Sequence, residues 1–418
     1  MNNEKLIPKL RFSGFTDEWN EVTLNDVATF SKGKGISKND ISDYGIECVR
    51  YGELYTKYNE MIYNVESKTN LDKNELKLSE KDDILIPCSG ETAIDLATAS
   101  CIQKDQVAIG GDITVIKTNQ YAPFITYYLN QKKTEIAKYA QGVSIVHLYP
   151  KDFKVMNIRI PSFNEQKKII ALLEEITKKE QLLKSKYQEY QDFKKYLMQE
   201  IFAQKLRFNF TDEWNYINFS EIFKSVSTKK YQIKSAEVRD KGDFEVIDQG
   251  QDEIAGYFND ETKLCQELPI IIYGDHTTFV KFRDKPFIVG ADGVKLLIPK
   301  FNANLKYLFY ALEHFNIKPE GYKRHFSIIK KIKLPIPTLE EQNEISEIFT
   351  SIDLKLKYTQ IQLQETKEFK KGLLQQMFNN MLLFLINIMY LEYFGLLSND
   401  YIINTILFQL LISFFTFI

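Results

Sequence analysis

Few residues in this chain stand in patterns that could do covalent chemistry. Ser31-Lys32-Gly33-Lys34-Gly35 resembles a loop that cradles phosphate, but it lacks the full G-x-x-x-x-G-K-S/T spacing. A surface turn is the plainer reading, although glycines flanked by Lys32 and Lys34 also suit contact with a DNA phosphate. Cys88-Ser89-Gly90 follows an apolar run, a place where strand-end nucleophiles sit, yet no nearby His or Asp marks a base for it. Glu365-Thr366-Lys367 fits the E-x-K half of a nuclease pattern, but inside a helical stretch where Glu and Lys are ordinary surface residues. His147, His276, His314 and His325 are scattered without ligand spacing. Cys48, Cys88, Cys101 and Cys265 form no C-x-x-C, so reduced thiols of a cytoplasmic protein are expected, with neither zinc nor disulfides. There is no dinucleotide fingerprint and no methyltransferase-type Asn/Asp-Pro-Pro-aromatic tetrapeptide. The chain reads as a binding protein, with no catalytic or metal-ligating residue of its own.

What it could bind is suggested by local charge. Between Ile317 and Lys333 stand Lys318, Lys323, Arg324, Lys330, Lys331 and Lys333 against Glu320 alone, with Tyr322 and His325 among them. The first half holds a weaker counterpart in Lys151, Lys154 and Arg159, with His147 upstream. Lysine and arginine neutralise phosphates, and arginine reads base edges. A solvated loop and strand edge is the ordinary fate of such a run. The candidate DNA contacts are Lys32, Lys34, Lys151, Lys154, Lys229, Lys230, Lys323, Arg324, His325, Lys330 and Lys331. The net charge of −2 and a pI near 6.2 argue against a stand-alone nucleic-acid binder. They leave room for one whose partners supply positive charge.

These residues sit on a chain that repeats itself. Lys9-Leu10-Arg11-Phe12 runs into Phe15-Thr16-Asp17-Glu18-Trp19, and Lys205-Leu206-Arg207-Phe208 runs into Phe210-Thr211-Asp212-Glu213-Trp214. Pro161 with Glu165-Gln166, Phe193-Lys194-Lys195 and Phe202 return, without a gap, as Pro337 with Glu341-Gln342, Phe369-Lys370-Lys371 and Phe378. Two similar halves are therefore fused, each with a fixed and a variable part. Such a duplicated unit suits a pseudo-twofold target, of which duplex DNA is the commonest.

The fixed part predicts a long helix in each half. A 4-3 spacing runs through Ile169, Leu173, Ile176, Glu180, Leu183, Tyr187, Tyr190, Lys194, Leu197 and Ile201. It returns through Ile345, Phe349, Ile352, Leu356, Thr359, Leu363, Thr366, Lys370, Leu373 and Met377. Sustained heptads argue for coiled-coil packing, and each helix has the other as its obvious partner. The polar exceptions Lys194 and Lys370 share one heptad position. Heptads do not give the direction of the pair, but a pseudo-twofold axis requires it to be antiparallel.

The variable parts read as α+β. Ile84-Leu85-Ile86 and Ile113 to Ile116 in the first half, and Ile270 to Tyr273 and Val294 to Ile298 in the second, read as strands ended by turns. Tyr121 to Leu129 and Leu305 to Leu312 each read as a short helix. Gly110-Gly111-Asp112 matches Gly290-Ala291-Asp292.

With these motifs in place, the chain resembles a specificity (S) subunit of a type I restriction-modification system. The resemblance covers residues 5 to about 380. It rests on Trp19 and Trp214, on Gly142…His147 and Gly321…His325, and on the twin Pro-x-x-x-Glu-Gln elements with their heptads. It implies two α/β target-recognition domains separated by an antiparallel two-helix coiled coil, in a pseudo-twofold circular arrangement. Each domain would read half of a bipartite site on double-stranded DNA. Two methyltransferase subunits and restriction subunits would be the partners, and S-adenosylmethionine, ATP and magnesium would belong to them. The N-terminal segment is expected to complete the end of the second coil, because its twin follows the first coil directly.

The expected domains are 1–160 and 206–336 for recognition, with 161–205 and 337–380 as spacer helices. An apolar tail, 381–418, remains, whose only charges are Glu392 and Asp400. Three readings of it compete: read-through of an AT-rich stretch, a membrane segment, or an apolar element packed on the coil. A membrane is not the expected partner. Two other functions stay open: a membrane-tethered coiled-coil adaptor, which needs the tail to insert, and a self-sufficient DNA-modifying enzyme.

Overall fold

A computed structural model describes residue 8 and residues 10–142, 146–321 and 323–378. The apolar tail from 381 onward, Tyr322 and part of the Gly142…His147 segment lie outside the described residues. Two compact units are present. The first takes the chain up to Glu180 and again from Glu365, and the second takes Gln181–Gln364.

The first unit is built on β1 (Asn20–Thr23), β2 (Ala28–Lys32), β3 (Met61–Ile62), β4 (Asp83–Pro87), β5 (Ser100–Ile102) and β6 (Ile113–Thr118), followed by α1 (Ala122–Gln131) and β7 (Asn157–Ile160). Its main sheet has the order β2-β6-β4-β5-β3. The run Asp83–Pro87 is buried at every residue, which is why it reads as a continuous apolar stretch and not as an alternation. β1 pairs antiparallel with β7, tying the start of the unit to the strand that precedes the long helix α2 (Phe163–Phe202).

The second unit repeats this plan with β8 (Asn215–Asn218), β9 (Phe223–Val226), β10 (Ile270–Gly274), β11 (Val280–Arg283), β12 (Val294–Pro299), α3 (Leu305–His314) and β13 (Lys333–Ile336), followed by α4 (Leu339–Phe378). Its main sheet runs β9-β12-β10-β11, all antiparallel, and β8 pairs with β13 as β1 pairs with β7. A smaller four-stranded sheet accompanies the main one in each unit. Buried tryptophans open both: Trp19 packs edge-on against Phe124, and Trp214 against Phe202.

Helices α2 and α4 are both 40 residues long, and their segments within the second unit run antiparallel. In the second unit Lys194 meets Asp353 while Phe202, further along, stacks on Phe349, earlier on its helix. Leu197, Ile201, Ile345, Phe349 and Ile352 join the core there, and Ile169, Leu173 and Met377 join the core of the first unit. Ile176, Leu183 and Leu373 are also buried, whereas Tyr190, Leu356 and Leu363 are half-buried.

The N-terminal segment closes on α4 in the first unit. The Leu10 N–H donates to the Gln376 carbonyl at 3.3 Å, and Leu10 and Phe12 pack on the core that holds Leu374, Met377 and Phe378. In the second unit Leu206 N–H donates to the Glu200 carbonyl at 3.2 Å, at the end of the helix it follows covalently. Leu10 thus stands to α4 as Leu206 stands to α2, without a peptide link.

Candidate nucleic-acid interface

The foot of each long helix is fixed by the same buried latch. In the first unit Arg11 donates from Nε and Nη2 to both oxygens of Glu165, at 2.7 and 2.8 Å. In the second, Arg207 does the same to Glu341, at 2.9 and 2.7 Å. Both carboxylates are buried, so a two-pronged arginine is the partner that offsets their loss of water. The next residue bridges to the sheet. Gln166 donates to the Pro161 carbonyl and accepts from Tyr121 N–H, and Gln342 donates to Pro337 and accepts from Asn304 N–H. Tyr121 and Asn304 cap α1 and α3, so each Glu-Gln pair aligns long helix, short helix and sheet. One difference remains: Trp214 Nε1 donates to Glu341, whereas Trp19 Nε1 has no partner among the described residues.

Above this shared foot the strand ends differ. In the first unit the β4 end reaches Cys88 and Ser89, and Ser89 Oγ shares a 3.1 Å hydrogen bond with His147 Nδ1. No histidine lies near Ser89 along the chain, and the fold supplies one from 58 residues away. His147 stacks on Tyr149, at 5.9 Å and 9° between planes, so it orders an aromatic surface. Burial pushes the Cys88 thiol above its ordinary range, and burial likewise carries Cys48 to about 11 and Cys101 to about 12. These thiols are inert packing groups.

The glycines beside Lys32 and Lys34 pack backbone on backbone. A Cβ on Gly33 would meet the Gly110 carbonyl at 2.0 Å, and one on Gly111 would meet Gly35 at 3.1 Å. The Gly33 and Lys34 amides are already spent on the Ile113 and Ile109 carbonyls. What the segment presents outward is the exposed pair Lys32 and Lys34.

In the second unit the β10 end reaches Asp275. His325 is fully buried against it, which removes it from the set of surface contacts. Its backbone N–H and Nδ1 both reach the Asp275 carbonyl, while Nε2 accepts from Glu320 N–H at 3.0 Å. That acceptor role places the ring proton on Nδ1. The side chain fixes the loop that carries the charges, and its charged neighbours made it look like a surface residue. Lys323 and Arg324 are exposed beside it, with Lys323 paired to Glu320.

Of the remaining candidates, Lys151, Lys229, Lys230, Lys330 and Lys331 are exposed, and Lys154 is half-buried at the end of the short helix Pro150–Phe153. Lys230 lies 5.5 Å from the Tyr231 ring. Glu365 and Lys367 are exposed and flank the buried Thr366 on one continuous helix. Among the described residues no cluster of His, Cys, Asp or Glu could hold a metal ion, and no helix is long and apolar enough to cross a membrane.

Comparison with known proteins agrees with this duplicated plan. A family model for the type I restriction modification DNA specificity domain matches twice, over residues 16–190 and 211–367. The fold is similar to the crystal structure of a type I restriction-modification system S subunit from M. genitalium, at 19% identity and a TM-score of 0.66, covering 90% of this chain and 100% of that one. It is also similar to a chain from a structure concerned with complex assembly and conformational transition of the type I R-M system. There the identity is 15% and the TM-score 0.50, with 88% and 99% of the chains covered.

Proposed function

Because this chain belongs to the type I restriction-modification DNA specificity family, we propose that it guides partner methyltransferase and restriction subunits to a bipartite DNA site. Each unit reads one half of that site. The observation that carries the reading is a pair of units with one foot and two faces. Arg11–Glu165 and Arg207–Glu341 are the same device, whereas the exposed charges of the two units differ: Lys32, Lys34 and Lys151 in the first, Lys323, Arg324, Lys330 and Lys331 in the second. A common scaffold with unlike faces is what two readers of unlike half-sites need.

In this reading S-adenosylmethionine, ATP and magnesium are held by the partners, two methyltransferase subunits and the restriction subunits. The chain itself supplies recognition. The test is replacement of residues 14–158 by the corresponding region of another family member, followed by mapping of methylated sites. One half of the recognised sequence should change and the other should stay. A change in both halves, or in neither, would count against independent reading units.

A further inference from the structure

Both units carry an arrangement that has no sequence signature. In the first, Tyr149 is flanked by Lys32 at 5.9 Å and Lys151 at 5.8 Å from its ring centre. In the second, Phe326 is flanked by Lys295 at 5.6 Å and Lys330 at 4.8 Å. The two rings occupy the same place in the fold. The residue at the strand end, Cys88 or Asp275, donates its amide across to Asp112 or Gly293. Its carbonyl then accepts from the residue just before the ring, Leu148 or His325.

The lysines arrive by different routes. Lys32 comes from β2, opposite Thr114 of β6, whereas Lys295 lies on β12, the strand corresponding to β6. Two divergent surfaces therefore reach one result, two ammonium groups about one aromatic ring. Lys32, Lys151 and Lys330 are exposed and have no ion-pair partner among the described residues, while Lys295 faces Asp275 at 3.7 Å.

We propose that each ring with its lysines is a backbone station for duplex DNA, taking phosphates regardless of sequence and leaving base reading to other side chains. The proposal rests on the DNA-recognition reading above. Ammonium groups gathered at one ring concentrate positive charge there and gain from an approaching anion. The ring face attracts both and so restrains otherwise mobile side chains. A lysine is a compact point charge, suited to a phosphate and without the planar fork that singles out a guanine edge.

The experiment measures affinity of the full chain in its native complex for an arbitrary-sequence duplex and for the target duplex, across a salt series. Removing one lysine–phosphate pair should flatten the log–log salt slope by about 0.9. Lys32→Ala with Lys151→Ala should therefore flatten it by roughly 1.8, and Lys330→Ala by roughly 0.9, equally on both duplexes. The matching Lys→Arg variants should keep the slope. Unchanged slopes in folded alanine variants overturn the proposal. So does a weakening confined to the target duplex, which would mark a base-reading role. If the unaltered complex shows no DNA binding at all, the recognition reading itself fails, a different outcome from an intact complex whose alanine variants behave like the parent.

Discussion

Arg207 and Glu341 stand 134 residues apart and meet in a two-pronged ion pair. The carboxylate is buried, and the pair fastens the segment leaving α2 to the first turn of α4 within the second unit. Breaking a buried pair from one side strands a charge, at about 3–5 kcal/mol. Arg207→Ala should therefore lower unfolding stability by roughly 3 kcal/mol. The double change Arg207→Met with Glu341→Leu should cost clearly less, because no charge is left alone. Chemical denaturation of the four proteins in the cycle checks this, and additive losses would show that the two side chains do not act as a pair.

How much of this was legible in the chain follows from particular residues. The helices were, since Ile169 to Ile201 and Ile345 to Met377 repeat at the spacing that a buried stripe requires. The pieces of the latch were visible too, as echoes around Arg11, Arg207, Glu165 and Glu341. Their pairing was not, because repetition shows that two motifs recur and not that they touch. The aromatic stations left no echo at all. Lys32 and Lys295 come from different strands, and Tyr149 and Phe326 are different residues. The Ser89–His147 bond was hidden by a separation of 58 residues. His325 misled in the opposite sense, since its neighbours are charged while its own ring is enclosed.

The polar gap in the apolar stripe makes a second prediction. Lys194 sits at a heptad core position, mostly buried, with Asp353 at 2.9 Å, Glu313 at 3.3 Å and the Tyr310 ring at 5.2 Å. Burial alone would make the ammonium easier to deprotonate, but the two carboxylates outweigh it and raise the lysine above its ordinary range. Lys194→Met would extend the apolar stripe yet leave both carboxylates without their cation. It should cost about 1–3 kcal/mol in spite of the better pattern. Adding Asp353→Leu should recover part of the loss. A stability gain in the single variant would show that the lysine is a mere interruption.

The glutamine bridge gives a third. Gln342 serves the Pro337 carbonyl and the Asn304 amide at once, both at 2.9 Å, and Asn304 caps α3 by accepting from Tyr307 N–H. Gln342→Leu keeps the volume but leaves two backbone groups unserved. The expected cost is about 1–3 kcal/mol. Hydrogen exchange should show it as faster exchange at the start of α3, with β10 and β12 unaffected. Uniform acceleration across the unit would mean that the bridge holds the whole fold and not this junction.

The last prediction concerns acid. His314 ends α3, with its ring stacked on Phe202 at 4.8 Å and edge-on to Phe315, also at 4.8 Å. Burial lowers its pKa, because these apolar neighbours leave an imidazolium poorly solvated. The unfolded chain, with an ordinary histidine near ~6.5, then binds the proton more readily than the folded one. Stability from this residue is thus fully present above about pH 6.5 and is lost as pH falls, levelling off below the folded-state value. His314→Phe keeps a ring in the stack and removes the titration. Between about pH 7.5 and 5.5 the parent should lose more of its thermal midpoint than the variant does, whatever offset the larger ring introduces at neutral pH. The substitution leaves every other titratable group in place, so the difference between the two curves isolates His314. Parallel curves would mean that the ring is as well solvated in the fold as in the unfolded chain.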